Sequence, residues 1–469
     1  MRILHWFRKD LRLADNTALA EAARDAAGDV VPFYASEPAI LGRSDMAAVR
    51  VRFVLDALAA LGRDLERAGS HLALDHGVAT DTVVRAARAS GAGAVYWNDE
   101  YEPALRARDD AVQEALEAGG IRVRRFHDRL LVPPGAVATR QGDPYVVYSP
   151  FQRACEALPP AAPRPAVTRF AAHGLQRRCV AKIESLGFDL KVPGWESGER
   201  AASARLDAFV EDGLTRYAAE RDLRAAGAAS RLAPHLRFGT IGVRTVAAAA
   251  LDAAREDRRL ARAVEKFIAE LRWRDFYAHV LYHFPHVEKG AFREPYEALE
   301  WQGDPAHFDA WRAGRTGYPM VDAGMRELAA TGFMHNRSRM IVASFLVKDL
   351  LLDWRLGELH FMKHLVDGDP ASNNGGWQWA ASTGTDAQPY IRIFNPVLQG
   401  ERCDPEGEHI RRWVPELEKL PAKWTHKPWE APAEVLAGAG IALGLDYPGP
   451  IVDHAEQREL ALAMFGKAD

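Results

Sequence analysis

Cysteine is nearly absent: Cys155, Cys179 and Cys403 are the only three in 469 residues. They lie far apart and form no Cys-X-X-Cys pair. That excludes an iron–sulfur cluster held by four thiolates and leaves no disulfide framework, so a reducing, cytoplasmic setting is expected. No apolar run reaches the roughly 18 residues of a membrane span. The opening MRILHWFRKDLRL is too charged for a secretory leader. Excess charge is also missing, with a formal net charge of -4. Composition therefore announces no nucleic-acid partner, although a local basic cleft would suffice for one. HExxH, GxSxG and Walker patterns do not occur, and His279, His283 and His286 give only a loose helical spacing. No metal site is expected, and hydrolase and NTPase chemistry lose support.

What is present is 48% hydrophobic residues in a chain too long for one ordinary core. Short β-rich runs at Ile3–Phe7, Val30–Ala35, His71–Asp75, Ala94–Asn98 and Arg122–Phe126 alternate with Ala-rich helical stretches. This alternation predicts an α/β N-terminal domain with a five-stranded parallel doubly wound sheet, over residues 1–130. A Pro/Ala-rich run, PPAAPRPAV, marks a connector, placed at 131–200. Beyond it strand signals fade, and helical patterns at 201–224, 242–256, 258–282, 320–331 and 337–352 predict a larger all-α domain over 201–469.

Chemistry-bearing residues cluster in that second domain. Asp367 to Pro396, DGDPASNNGGWQWAASTGTDAQPYIRIFNP, gathers carboxylates, amides, glycines and indoles with little apolar periodicity. Such a string suits the wall around a large flat ring. On Val264–Phe284, Glu270, Trp273, Arg274 and Tyr277 share one helical face. It reads either as an amphipathic surface or as a face for stacking on bases. MHNRSRMIVASFLVKDLLLDW starts an apolar helix with Asn336, Arg337 and Arg339, whose partners would be an anionic or amide-rich ligand or another helix. Tyr217, Arg221 and Asp222 precede a Gly/Ala/Ser turn around Ser230 and Arg231 that can receive an anion.

Taken together, WFRKDLRLADN, ELRWRDFY, TGYPMVDAGMREL, MHNRSRM and DWRLGE resemble the photolyase/cryptochrome family along nearly the whole chain. The expected closest likeness is to bacterial class I DNA photolyases that repair cyclobutane pyrimidine dimers. The resemblance implies non-covalent FAD in the helical domain and light-driven electron transfer to a dimer flipped out of UV-damaged DNA. By resemblance, Tyr217, Ala229, Ser230, Arg231, Leu232, Ala233, Arg339, Asp367, Gly368, Asp369 and Asn373 line FAD, with Asn373 towards flavin N5. Glu270 and Asn336 would hydrogen-bond the dimer and Trp273 would pack on it. Arg221, Arg274, Tyr277, Arg337, Trp379, Arg392 and Gln399 would face the DNA. Trp377, Trp354 and Trp301 match a photoreduction chain.

Some positions depart from the family pattern. The phosphate turn commonly reads Gly-Thr-Ser-Arg-Leu-Ser, whereas Ala229 and Ala233 stand here for two of its hydroxyls. Each lost donor is worth roughly 0.5–1.5 kcal/mol. Folate-binding members carry an Asn-Glu pair where Ala104 and Leu105 stand, so a deazaflavin-type antenna is favoured over methenyltetrahydrofolate, with Asp45, Met46, Arg50 and Glu100 as its candidate contacts. Plant cryptochromes usually have Asp, and animal ones Cys, at the place of Asn373. The expected function is therefore repair by a monomeric enzyme, and the alternative is a blue-light receptor that signals through a protein partner.

Overall fold

The computed structural model describes residues 1–159, 161–386 and 391–466. Pro160 in the Pro/Ala run, residues 387–390 of the polar stretch and the last three residues of the expected helical domain lie outside the described residues. Five strands, β1 (Ile3–Phe7), β2 (Val30–Ser36), β3 (Ala73–His76), β4 (Ala94–Asn98) and β5 (Arg122–Phe126), form one parallel sheet in the order β3-β2-β1-β4-β5. In β1, Ile3 and Phe7 enter the apolar cluster on one face while Leu4 and Trp6 enter that on the other. A strand covered on both sides reads as a continuous apolar run, which is why β1 was legible. The remaining chain is a larger all-α domain, with no strand among the described residues after Phe126. The order reverses direction beside β1, so the carboxyl ends of β1 and β4 open a crevice there, the usual ligand position in doubly wound sheets.

The predicted helix over 337–352 stops at Ser344 and continues as a wider, π-type turn through Asp349. Leu351 then adopts φ 50° and its carbonyl accepts from Gly303, so tertiary pairing ends the helix early. The expected connector also holds more structure than its composition suggested. Tyr148, Phe151 and Cys155 are the buried face of a helix, Tyr148–Glu156, that packs on the long Ala261–His283 helix. The ring of Phe151 lies 5.3 Å from that of Phe276.

The two domains meet backbone to backbone. Leu11 donates to the Phe238 carbonyl at 3.2 Å. Gly239, at φ 63°, sits so close that an added Cβ would lie 2.1 Å from the Lys9 carbonyl oxygen. A side chain there would force the seam open.

Asp275 fixes the long helix against residue 132. Its Oδ2 accepts from the Val132 amide at 3.0 Å, and its Oδ1 has no partner among the described residues. Burial pushes its carboxyl from 3.8 up to about 7, against the pull of Arg274. The folded state thus holds this proton more tightly than the unfolded chain. The resulting stabilisation is full below about pH 4 and is lost as pH rises through 7. Asp275→Asn keeps the acceptor without the charge. It should be more stable than the parent by roughly 1–3 kcal/mol at pH 8, with the gain vanishing by pH 4.5. Denaturant melts at the two pH values check this, and an equal difference at both would refute it.

Candidate functional site

The Ala261–His283 and Asn336–Ser344 helices both pack on the Pro370–Ala381 helix, and most of the expected residues lie on or beside these three. Two of these helices begin with side-chain caps that shape the site. Asp369 Oδ1 accepts from the Ser372 amide at 3.1 Å, and Pro370 follows it at the first helical position. His335 Nδ1 accepts from the Arg337 amide at 3.1 Å, which puts Asn336, Arg337 and Arg339 on the first turn. Arg339 Nη2 donates to Asp367 at 2.9 and 3.0 Å. Asn373, buried on the Pro370–Ala381 helix, donates from Nδ2 to the Glu358 carbonyl at 3.1 Å. The Glu358 carboxyl accepts from Asn374 at 3.0 Å, and burial pushes it up to about 7.

The turn before Ala233–Phe238 has free donors. Among the described residues no loop hydrogen bond is donated by the amides of Ala229, Ser230 or Arg231, and Arg231 adopts φ 52°. Tyr217 and Leu232 are buried beside it, while Arg231 and Ala233 are exposed. Open amides suit a pyrophosphate. Opposite charges and a buried amide at Arg339, Asp367, Asp369 and Asn373 suit the polar edge of a flavin. The residues present fit FAD.

A second, solvent-facing group adjoins this one. Arg221 pairs with Glu270 at 2.7 Å and Arg337 with Asp222 at 2.8 Å, while Asn336 is exposed. Trp273 stacks face to face on Tyr148, with centroids 3.7 Å apart and planes 9° apart. Nothing in the sequence marked Tyr148, since its helix was taken for connector. Trp379 packs on Phe394 at 6.3 Å, with exposed Arg392 over the same ring at 5.7 Å and Gln399 on the following helix. The structure does not bring Arg274 and Tyr277 to this face. Arg274 turns inward and donates to the carbonyls of Arg129 and Leu236. Tyr277 presses on Gly375, where an added Cβ would lie 2.0 Å from its ring. Packing and backbone hydrogen bonds claim both side chains.

Of the three expected electron carriers, Trp377 and Trp354 are buried, at 2% and 1% exposure, and Trp301 is half-buried against Phe465. Trp377 is held edge-on by Phe361 at 4.9 Å and by Trp311 at 6.1 Å. Trp311, whose indole donates to the Val342 carbonyl at 3.0 Å, belongs to no motif and was passed over in the sequence.

The carboxyl ends of the strands surround a separate cavity of about 330 Å³. Asp45, Met46, Arg50 and Glu100 all line it, with apolar Val54 and Leu58 behind them. Arg50 also bridges the domains, donating to the carbonyls of Asp45 at 2.6 Å and Met362 at 2.9 Å. Leu105 lines the same wall.

Residues 3–167 match the family described as DNA photolyase, and residues 267–467 match the FAD binding domain of DNA photolyase. The Deoxyribodipyrimidine photo-lyase of Halobacterium salinarum is 44% identical over 99% of this chain and 99% of its own. The chain belongs to the DNA photolyase family. A bacterial class III photolyase from Agrobacterium tumefaciens superposes with a TM-score of 0.91 at 41% identity, covering 100% of this chain and 97% of that one. An archaeal photolyase from Sulfolobus tokodaii, solved with two FAD molecules, superposes at 0.83 with 32% identity over 100% of both chains. The class III match corrects the expected closest likeness to class I. That expectation rested on motifs around the flavin and the DNA face, where family members share one chemistry, so the motifs carry little information about class.

Gly357 tests how Trp377 is held. An added Cβ there would lie 2.1 Å from the indole Cη2, inside a buried helix. Gly357→Ala should destabilise the helical domain by about 1–3 kcal/mol through overpacking. A thermal melt reads this directly, and an unchanged Tm would show that Trp377 moves freely.

Proposed function

We propose that this protein repairs cyclobutane pyrimidine dimers in DNA under blue light, by electron transfer from reduced FAD to a flipped-out dimer. The observation that carries the reading is two groups of side chains gathered on and beside the same three helices. One holds Arg339, Asp367, Asp369 and Asn373, and the other holds Arg221, Glu270, Trp273 and Asn336. Kinship along the whole chain supports it.

When bound, reduced FAD supplies the electron that light moves to the dimer and recovers it once the two linking bonds have opened. The chain's own residues do the rest. Glu270 and Asn336 hydrogen-bond the extruded bases, and the face of Trp273 not covered by Tyr148 receives them. Holding Glu270 in its pair with Arg221 keeps its acceptor oxygens oriented before DNA arrives. Arg221 and Arg337 then exchange part of these ion pairs for phosphates, which gives affinity without sequence preference. Arg392 and Gln399 extend the contact. Asn373 places a neutral amide at the flavin edge, compatible with either protonation state of the ring. Trp377, Trp354 and Trp301 relay electrons inward from solvent, the first two buried and Trp301 partly exposed. The cavity at the strand ends takes an antenna of the flavin or deazaflavin type, a planar ring fitting its apolar wall and charged rim.

Reduced protein mixed with dimer-containing duplex should lose dimer under blue light and not in the dark. No light-dependent loss would sink the proposal. Trp354→Phe should slow photoreduction severalfold while sparing repair by chemically reduced protein. Normal photoreduction would remove Trp354 from the relay.

A further inference from the structure

Asp369 is held at the seam by cations from both domains, Arg237 from its own and Arg129 from the first. Arg237 Nη1 donates to Asp369 Oδ2 at 3.0 Å and to Glu102 Oε1 at 2.8 Å. Its Nε donates to the Gly368 carbonyl at 3.1 Å. Glu102, at the end of β4, pairs also with Lys9, which follows β1. Lys9 pairs in turn with Glu100 at 3.1 Å, Glu100 with Arg129 at 2.6 Å, and Arg129 approaches Asp369 at 3.6 Å. The result is a closed ring of three cations and three carboxylates. Its most accessible side chain is only 18% exposed, so solvent screens it weakly.

The ring is electrically tight. Burial pushes Asp369 up, but Arg237 and Arg129 outweigh it and hold the carboxyl below its ordinary value. Lys9, with no acceptor beyond the two glutamates among its charged partners, is brought down to about 8, first by burial and then by Arg237. Lys9, Glu100, Glu102 and Arg237 also form the wall of the cavity at the strand ends. Four of the six charges thus face that cavity, while Asp369, in the same ring, faces the proposed flavin site.

We propose that Lys9, Glu102 and Arg237 are positioning residues for the flavin. By holding Asp369 in place and balancing its charge across the seam, Arg237 directly and Lys9 and Glu102 from the sheet side, they set how readily the bound ring accepts electrons. This rests on the reading that the flavin lies against Asp369. Deleting one charge from a balanced, poorly screened ring leaves a net charge near the cofactor. Losing the Lys9 cation disfavours reduction, whereas losing the Glu102 carboxylate favours it.

The test is the midpoint potential of FAD bound to the purified protein, measured by equilibration with a reference dye. Lys9→Met should move it to a more negative value, roughly tenfold in the reduction equilibrium. Glu102→Gln should move it the opposite way, and Lys9→Arg should restore the parent value. If Lys9→Met fails to fold or loses FAD, Glu102→Gln carries the test by its sign. Equal potentials in the parent and both charge-deleting variants would overturn the inference, as would shifts of the same sign in both. Asp369→Asn separates the two levels. If it alters neither FAD content nor potential, the placement of the flavin fails and the inference with it. If it shifts the potential while the other variants do not, only the positioning role fails.

Discussion

Asp128 lies fully buried at the seam between sheet and helices, where Arg12 from the first domain and Arg244 from the second both donate to it. Thr17 adds its amide at 2.9 Å and its hydroxyl at 2.8 Å. Burial alone would raise the Asp128 carboxyl, yet the two guanidiniums hold it far below its ordinary value. Arg244 continues to Asp15 at 2.7 Å, and Asp15 accepts from Thr245. A buried charge that loses one partner costs about 3–5 kcal/mol, more than most apolar truncations at an interface. Charge pairing therefore adds a directional lock to the apolar clusters that also cross the seam, such as Val49 and Phe53 with Phe238 and Val366.

That lock explains why the flavin loop can be braced from both sides. Residues 365–369 join two helices, and their carbonyls accept from Arg50 of the first domain and Arg237 of the second. A loop braced in this way keeps its carboxylates at fixed points without a regular hydrogen-bond ladder. The cost is desolvated cations at the seam: burial brings Arg50 down to about 10. Such guanidiniums remain charged, so the cavity at the strand ends keeps a polar wall even though most of its lining is aliphatic.

Much of this was legible in the sequence, for physical reasons that differ by region. The central strands could be read because they are covered on both faces and so are dominated by apolar residues, whereas the half-exposed edge strands were read from their β-rich composition and regular alternation with helices. The group around Asp367, Asp369 and Asn373 stood out because carboxylates, amides and glycines in a run without periodicity are hard to account for as core packing. Arg274 and Tyr277 could not be placed, since helical spacing gives a residue's face but not which neighbour will claim it. Tyr148 was missed because a nine-residue helix inside a long irregular segment gives too few periods to stand out. The partners of Asp369 were equally hidden. Lys9 and Glu102 are separated by most of the first domain and Arg237 lies in the second, and only the fold brings their charges together.

A common thread runs through the side chains that matter: several do two jobs with one group. Asp369 caps a helix with Oδ1 and meets Arg237 with Oδ2. His335 caps another helix and accepts from Arg224. Asp353 caps the helix that begins with Trp354. Helix starts offer uncompensated amides and a positive dipole end, so carboxylates placed there are already stabilised before any ligand binds. A site assembled from such caps is preorganised by the secondary structure itself. It follows that Asp369 resists redesign, because changing it also frays a helix. The side chains of Lys9, Glu102 and Arg237 cap no helix, and it is there that the properties of the proposed site can vary while the fold stays the same.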